Sequence, residues 1–251
     1  MIFSFFDETF RVSLQDLYYF KRNILSIMIT IMVTPLLYYV SFCYGLGSNV
    51  NNMEGVPYVA FVIPGVIALS TLTSCFSSIA NKVLSQRIYY TSFDEIILCP
   101  ISPSAVIFGK ALIGFIRGMI GCFILLAIGL VMTDGLHISV MLILSIAVSC
   151  VAFSLLGVLV GFLSNSLTTI IMFTTVLVVP MTFLCGTVFS VSSLPTGLQY
   201  IIAAMPLTYS TDCIRSAALD WSFPMLSLLI VIVWSVVFFS ICYYMLVKGK
   251  L

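Results

Sequence analysis

The chain has 251 residues, 61% of them hydrophobic and only 8% charged, with a formal net charge of +1. Soluble domains carry about 25% charged residues, so most of this surface cannot face water, and the balance of charge offers nothing to nucleic acid. The composition is that of an all-α polytopic membrane protein, whose backbone polar groups must be closed within helices.

Residues 2–20 form an amphipathic segment. Phe6, Phe10, Leu14 and Leu17 share a helical face, and Glu8, Arg11 and Gln15 lie off it. This predicts an interfacial helix over 2–22, ending at Lys21 and Arg22. A plain lead-in to the first span is the simpler reading. Asp7, Glu8 and Asp16 do not fit a cleavable signal, which needs a basic start and a short apolar core. Apolar runs follow at about 24–46, 57–81, 104–132, 137–163, 167–190 and 224–247, each near or above the roughly 20 residues that cross a hydrocarbon core. Six spans put both termini on one side. Arg11, Lys21, Arg22, Lys82, Arg87, Lys110, Lys248 and Lys250 fall there too, which makes it the cytoplasm by the positive-inside rule. The other side keeps Glu54, Asp134, Asp212, Asp220 and one base, Arg215. Pro35, Pro64 and Pro180 lie within spans and predict kinks.

Between the second and third runs lies an island of charge and helix signals. Thr91 and Ser92 each precede an acid, Asp94 and Glu95, at capping-box spacing. Phe93, Ile96 and Ile97 then share a face. Pro100 ends the turn, and Ser102-Pro103 reads as the N-cap and first position of the next helix. The result is a short helix over about 92–99, too short to be stable alone, with an apolar face that wants a partner.

Polar groups inside the runs are few. Arg117 lies within the third, seven residues after Lys110. A buried arginine faces protein or water, so it either touches an anionic substrate or polar cavity, or makes structural contacts with carbonyls and hydroxyls, or snorkels to the inner surface. No run contains a carboxylate to pair with it. Ser70, Thr73, Ser74, Ser77 and Asn81 follow one side of the second run; Thr168, Thr169, Thr174, Thr175 and Thr182 mark the fifth. These hydroxyls either line a pathway or bond back to their own helices. Gly114/Gly118 and Gly157/Gly161 have the spacing of close helix contacts. Tyr38, Tyr39, Phe42 and Tyr44 read as an outer aromatic belt, with a sugar- or drug-binding wall as the alternative.

The stretch 185–219 carries a piece, 198–205, that is apolar but too short to span, bracketed by Pro195 and Pro206. Such pieces are re-entrant or interfacial helices; an ordinary outer loop is the plainer alternative. Asp212 and Arg215 have pairing distance on the next turn.

Catalytic and metal chemistry is sparse. The eight cysteines are scattered singly, as apolar fillers are, and the single histidine, His137, rules out a His-rich metal site. Gly109-Lys110 is followed by alanine, and position 104 is serine, so there is no phosphate-cradling loop. A gradient-driven transporter would show acids inside its spans. The energy therefore comes from elsewhere, or the protein is a passive channel or a scaffold. An enzyme acting on lipid-linked sugars would need clustered acids or histidines.

In order and spacing the chain resembles the ABC-2 family of transport permeases, which includes drug-resistance, nodulation-factor and polysaccharide exporters. The resemblance rests on 91–110, with its acids, paired aliphatics, Pro100-Ile101-Ser102 and Gly109-Lys110, then Arg117-Gly118. It rests equally on the run 184–189, Ser193-Leu194-Pro195, and Pro206-Leu207-Thr208-Tyr209 with Asp212 and Arg215. At Cys185 the family more often has Ser or Gly. The resemblance implies one transmembrane domain over 1–251, a dimer with itself or a similar permease, and two copies of a separate ABC ATP-binding subunit carrying ATP and Mg. It implies a prokaryotic cytoplasmic membrane, and export of a lipophilic drug-like, lipid-linked or glycan substrate. It assigns coupling to the ATPase to Ser92, Phe93, Asp94, Glu95, Ile96 and Ile97. The outer gate falls to Gly186, Pro195, Pro206, Tyr209, Asp212 and Arg215. Candidate pathway residues are Arg117, Ser70, Ser74, Ser77, Thr174 and Thr175.

Overall fold

A computed structural model describes residues 2–41, 52–53, 55–90, 92–132, 137–187 and 195–248. The chain is an all-α polytopic membrane protein. Two helices open it, α1 (Ile2–Arg22) and α2 (Ile24–Val40), meeting at an 83° bend. A minimal hairpin follows, β1 (Asn52–Met53) against β2 (Val56–Pro57), with Gly55 in the left-handed region its turn requires. Then come α3 (Tyr58–Leu84), which runs into a π-helical turn at Ser85–Tyr89, α4 (Ser92–Leu98), α5 (Pro103–Met132) and α6 (Val140–Leu163). The next crossing is α7 (Leu167–Phe173), a π-turn at Thr174–Val178 and α8 (Val179–Leu184); α9 (Thr196–Ala203), α10 (Pro206–Ala218) and α11 (Met225–Val247) complete the chain.

Among the described residues five helices are long and apolar enough to cross a membrane, or six if the bent α1–α2 pair counts as one. The fifth apolar run is shorter than its sequence suggests: helix ends at Leu184 because Gly186 turns the backbone to φ +69°. Pro180 sits directly after the π-turn, where the wider ladder absorbs its missing N–H. Pro64, by contrast, is carried within a continuous α3.

The bundle is built around α3, which packs on α5, α6 and α10. Its most apolar window is 83% buried, against 22% for α11 and for Leu167–Leu184; those two crossings therefore present apolar flanks to lipid or to another subunit. Both glycine pairs lie at crossings. A Cβ on Gly157 would come 2.9 Å from the Phe76 carbonyl and one on Gly161 2.8 Å from Val83, so α6 fits against α3 only without side chains there. Gly114 and Gly118 do the same for α5, against Ser154 and the thiols of Cys75 and Cys150. Cysteines 75, 122, 150, 185, 213 and 242 are buried and Cys99 is exposed.

Helix α1 has three faces. Phe6 and Phe10 point outward and Asp7 pairs with Arg11 at the surface, but Val12, Asp16 and Phe20 turn into the bundle. Glu8, expected to point away, instead accepts from the N–H and hydroxyl of Ser102 at 3.1 and 2.8 Å. Ser102 stands at the N-cap of α5 as expected, its carbonyl accepting from the N–H groups of Ala105 and Val106, while its hydroxyl donates to Glu8.

Candidate functional site

Three assemblies stand out: one around α4, a cavity beside it, and one at the opposite end of the bundle.

Helix α4 is fixed to its own chain. Phe93 is fully buried, with its ring 5.5 Å from that of Phe162 at the end of α6. Ile96 packs against the core. Beside them Arg87, on the π-turn, donates to the carbonyls of Gly161 and Phe162 and to Asn165 Oδ1 at 3.0 Å, filling the open acceptors at the C-terminus of α6. The free apolar face predicted for Phe93 and Ile96 is thus corrected: α6 and the core cover it. What α4 leaves exposed is Glu95, Leu98 and the following Cys99 and Pro100. The side chains of Asp94 and Ile97 lie outside the described residues.

Next to α4, a cavity of about 950 Å³ is lined by α1, α2, α3 and α5 and reaches Tyr90 and Ser92 at the start of α4. Asp16 enters it from α1, 2% exposed. Its carboxylate meets Lys82 Nζ at 3.0 Å and Lys110 Nζ at 3.3 Å, and accepts from Gln86 Nε2 at 2.9 Å. Lys110, 1% exposed, is wholly interior. Gly109 beside it has no room for a Cβ, which would lie 2.8 Å from Val12, so α1 lies directly on α5. The Gly-Lys pair is therefore a helix seat and an ion-pair anchor, in the body of a helix rather than in a loop.

Of the pathway candidates, Arg117, Ser74 and Ser77 line this cavity. Ser70 lies just above, its Oγ buried without a partner. Thr174 and Thr175 do not join them; each donates to its own helix, at Ile170 and Ile171, 2.8 and 2.9 Å. Thr73 and Asn81 also line the cavity while donating to Leu69 and Ser77 carbonyls. Arg117 makes no hydrogen bond or ion pair among the described residues, and its Nε is buried. Tyr38 packs against the core; Phe42, Tyr44 and the side chain of Tyr39 lie outside the described residues.

At the far end of α3, Arg215 is buried rather than in a loop. It donates to the carbonyls of Gly186 at 2.7 Å, Thr187 at 3.3 Å and Phe61 at 3.3 Å, and lies 3.8 Å over the Phe61 ring. Gly65 faces the Thr187 carbonyl so closely that a Cβ would overlap it. Asp212 is half-buried one turn earlier. Pro195 is exposed as the residue before α9, whereas Pro206 is buried in the first turn of α10. Thr208 and Tyr209 fasten the α9–α10 corner by donating to the Ile202 and Ala203 carbonyls, 2.9 and 2.7 Å. Helix α10 is buried against α3, α6 and α11, and the His137 N–H donates to its end at Ala218.

Sequence reasoning missed Asp16 and its lysines. The available signal was Glu8, Val12, Asp16 and Phe20 at successive four-residue steps, a row that mixes acids into an otherwise apolar helix. Among the described residues no group of acids, cysteines or histidines is arranged to hold a metal.

The profile of the ABC-2 type transporter family matches residues 2–219. The inner membrane transport permease YadH of Escherichia coli K12 is 25% identical over 239 residues, covering 94% of this chain and 93% of YadH. Nodulation protein J of Rhizobium leguminosarum bv. viciae is 27% identical over 207 residues, 79% of this chain and 77% of its own length. Nodulation protein J of Rhizobium meliloti is 27% identical over 197 residues, 78% and 75%. A match that spans the α1 seat, α4, the cavity and the Arg215 cluster together makes this chain a multi-pass membrane protein of the ABC-2 type transporter family, with that family's transport-permease role.

Proposed function

We propose that the chain is the membrane subunit of an ATP-driven exporter in a prokaryotic inner membrane. Both termini and α4 face the cytoplasm. It works as a dimer with itself or a similar permease, above two ABC ATP-binding subunits that hold the ATP and Mg. Its cargo enters the cavity among α1, α2, α3 and α5 from the inner side and leaves past the Arg215 cluster, with α9–α10 as an outer re-entrant gate.

The observation that carries this reading is the way α4 is mounted. A short helix anchored through Phe93 on Phe162 and through Arg87 on the end of α6 can pass a push to the bundle, while Glu95 and Leu98 remain exposed for a motor to grip. The path onward is made of close contacts: α6 on α3 at Gly157 and Gly161, then α3 on the outer segment at Gly65 and Phe61. Packed contacts of this kind shift as rigid bodies rather than deform.

Glu95→Lys and Leu98→Asp change only exposed groups, so the protein should reach the membrane at the normal level. Each should lose permease-stimulated ATP hydrolysis, and with it export, when reconstituted with the ATPase that co-purifies with the chain. Full stimulation in both variants, or purification with no P-loop partner at all, would favour a passive channel or a scaffold.

A further inference from the structure

The cavity holds more positive charge than the protein balances. Lys82 and Arg117 line it, with Lys110 buried behind Asp16, and Asp16, the single carboxylate lining it among the described residues, is already shared by the two lysines. Arg117 is left over. It lies fourteen residues beyond Pro103 in one continuous helix, about 21 Å along the axis and well inside the hydrocarbon region. An ionised group there costs several kcal/mol unless a counter-charge meets it.

The five straight crossings of a second copy hold no acid that could supply that charge. None of the segments Tyr58–Tyr89, Pro103–Val131, Val140–Leu163, Leu167–Leu184 and Met225–Val247 contains an aspartate or glutamate. Dimerisation through them would add a second arginine and no acid at that depth. Among the described residues this leaves water or a ligand to meet Arg117, and of the two only a ligand brings a counter-charge.

The walls suggest what kind. On the α3 side Ser74 and Ser77 present hydroxyls, and Asn81 its second amide N–H, to phosphate or sugar oxygens, while the Thr73 hydroxyl is spent on the Leu69 carbonyl. At its α2 edge the cavity is bounded by Thr30, an exposed residue of a helix whose neighbours Leu25, Ile29 and Val33 are also exposed. The opening at membrane depth is thus continuous with the bilayer, so a ligand can lie with its head in the cavity and its tail in lipid. A resident phospholipid would keep its headgroup at the interface, level with Lys82; a head drawn up to Arg117 is one in transit.

We infer that the cavity takes the anionic headgroup of an amphiphile, phosphate- or carboxylate-bearing, with Arg117 as its charge partner. The inference rests on reading the cavity as the inner end of the export path, and it adds the chemical class of the cargo.

The test is a titration of the purified full chain in detergent with short-chain phosphatidic acid and with phosphatidylcholine of the same chains, followed by native mass spectrometry. The wild type should bind the anionic lipid about tenfold more tightly, the scale of one charge-assisted contact. Arg117→Gln should remove that preference and leave phosphatidylcholine unchanged, while Arg117→Lys retains most of it. Inorganic phosphate at millimolar concentration should not displace the lipid. Arg117→Gln should also leave the lipid-free melting temperature unchanged or higher, because it removes an unpaired charge. Equal binding of the two lipids by the wild type would overturn the inference. So would an unaltered preference in Arg117→Gln, displacement by phosphate alone, or a melting temperature lowered by several degrees, which would make Arg117 a structural residue. The measurement needs no ATP and no partner, so its failure leaves the exporter reading standing, and failure of the Glu95 and Leu98 test leaves this one.

Discussion

Asp16 holds two lysines from different helices, α3 and α5, against α1. Exposed ion pairs contribute little, but removing one member of a buried set leaves charge without compensation. Asp16→Asn should therefore destabilise the protein by about 3 kcal/mol or more, seen as a lowered unfolding midpoint in detergent. Adding Lys110→Met to that variant should restore much of the loss, because it removes the most deeply buried of the charges left unpaired. If the double variant were less stable than the single one, Lys110 would be held by something other than Asp16. The same logic separates Arg215, which is buried, from Arg117, which is half-buried with its Nε out of reach of solvent. Arg215 is satisfied by three carbonyls and an aromatic face, and so reads as a fastener. Arg117 is not satisfied, and so reads as a receptor.

The short helix α4 divides its residues between anchoring and presentation. With only seven residues it has no stability of its own; Phe93, wedged against Phe162, supplies it. Phe93→Ala should cost about 3 kcal/mol of local packing and let α4 swing free. Amide hydrogen exchange should then rise over α4 and the Ser85–Tyr89 turn, while α3 and α6 stay protected. Unchanged exchange in α4 would mean that the helix is held by other contacts. The sequence made Phe93, Ile96 and Ile97 a single docking face, since three-and-four spacing says which side chains lie together but not whose surface they meet. The neighbour proved to be α6, about seventy residues later. Helix α1 teaches the same point. Its Phe6 and Phe10 face was legible, but the inward turn of Glu8 and Asp16 required Ser102, Lys82 and Lys110 to be in place.

For the whole molecule, the orientation proposed from the distribution of lysine and arginine has a direct check. Cys99 is the exposed cysteine among those described. In a Cys43→Ser background, a membrane-impermeant maleimide should label Cys99 in inside-out vesicles and not in intact cells. Labelling from outside would reverse the topology, and with it the assignment of α4 to the ATPase side.

The long apolar runs and the short helix between the second and third were legible in the sequence, because the cost of leaving backbone polar groups in lipid forces each long apolar run into a helix whatever its neighbours. The glycine pairs marked real crossings for a similar reason: helices in lipid approach closely where side chains are absent. What the chain could not reveal alone was which polar groups meet. The partners of Asp16 lie 66 and 94 residues away, as the numbering of Lys82 and Lys110 shows, and those of Arg215 include Phe61, 154 residues back. Such meetings are settled by how helices cross and rotate about one another, a property of packed surfaces that local periodicity does not encode. The isolation of Arg117 is likewise a tertiary fact, since only the folded bundle shows that none of the described side chains balances it.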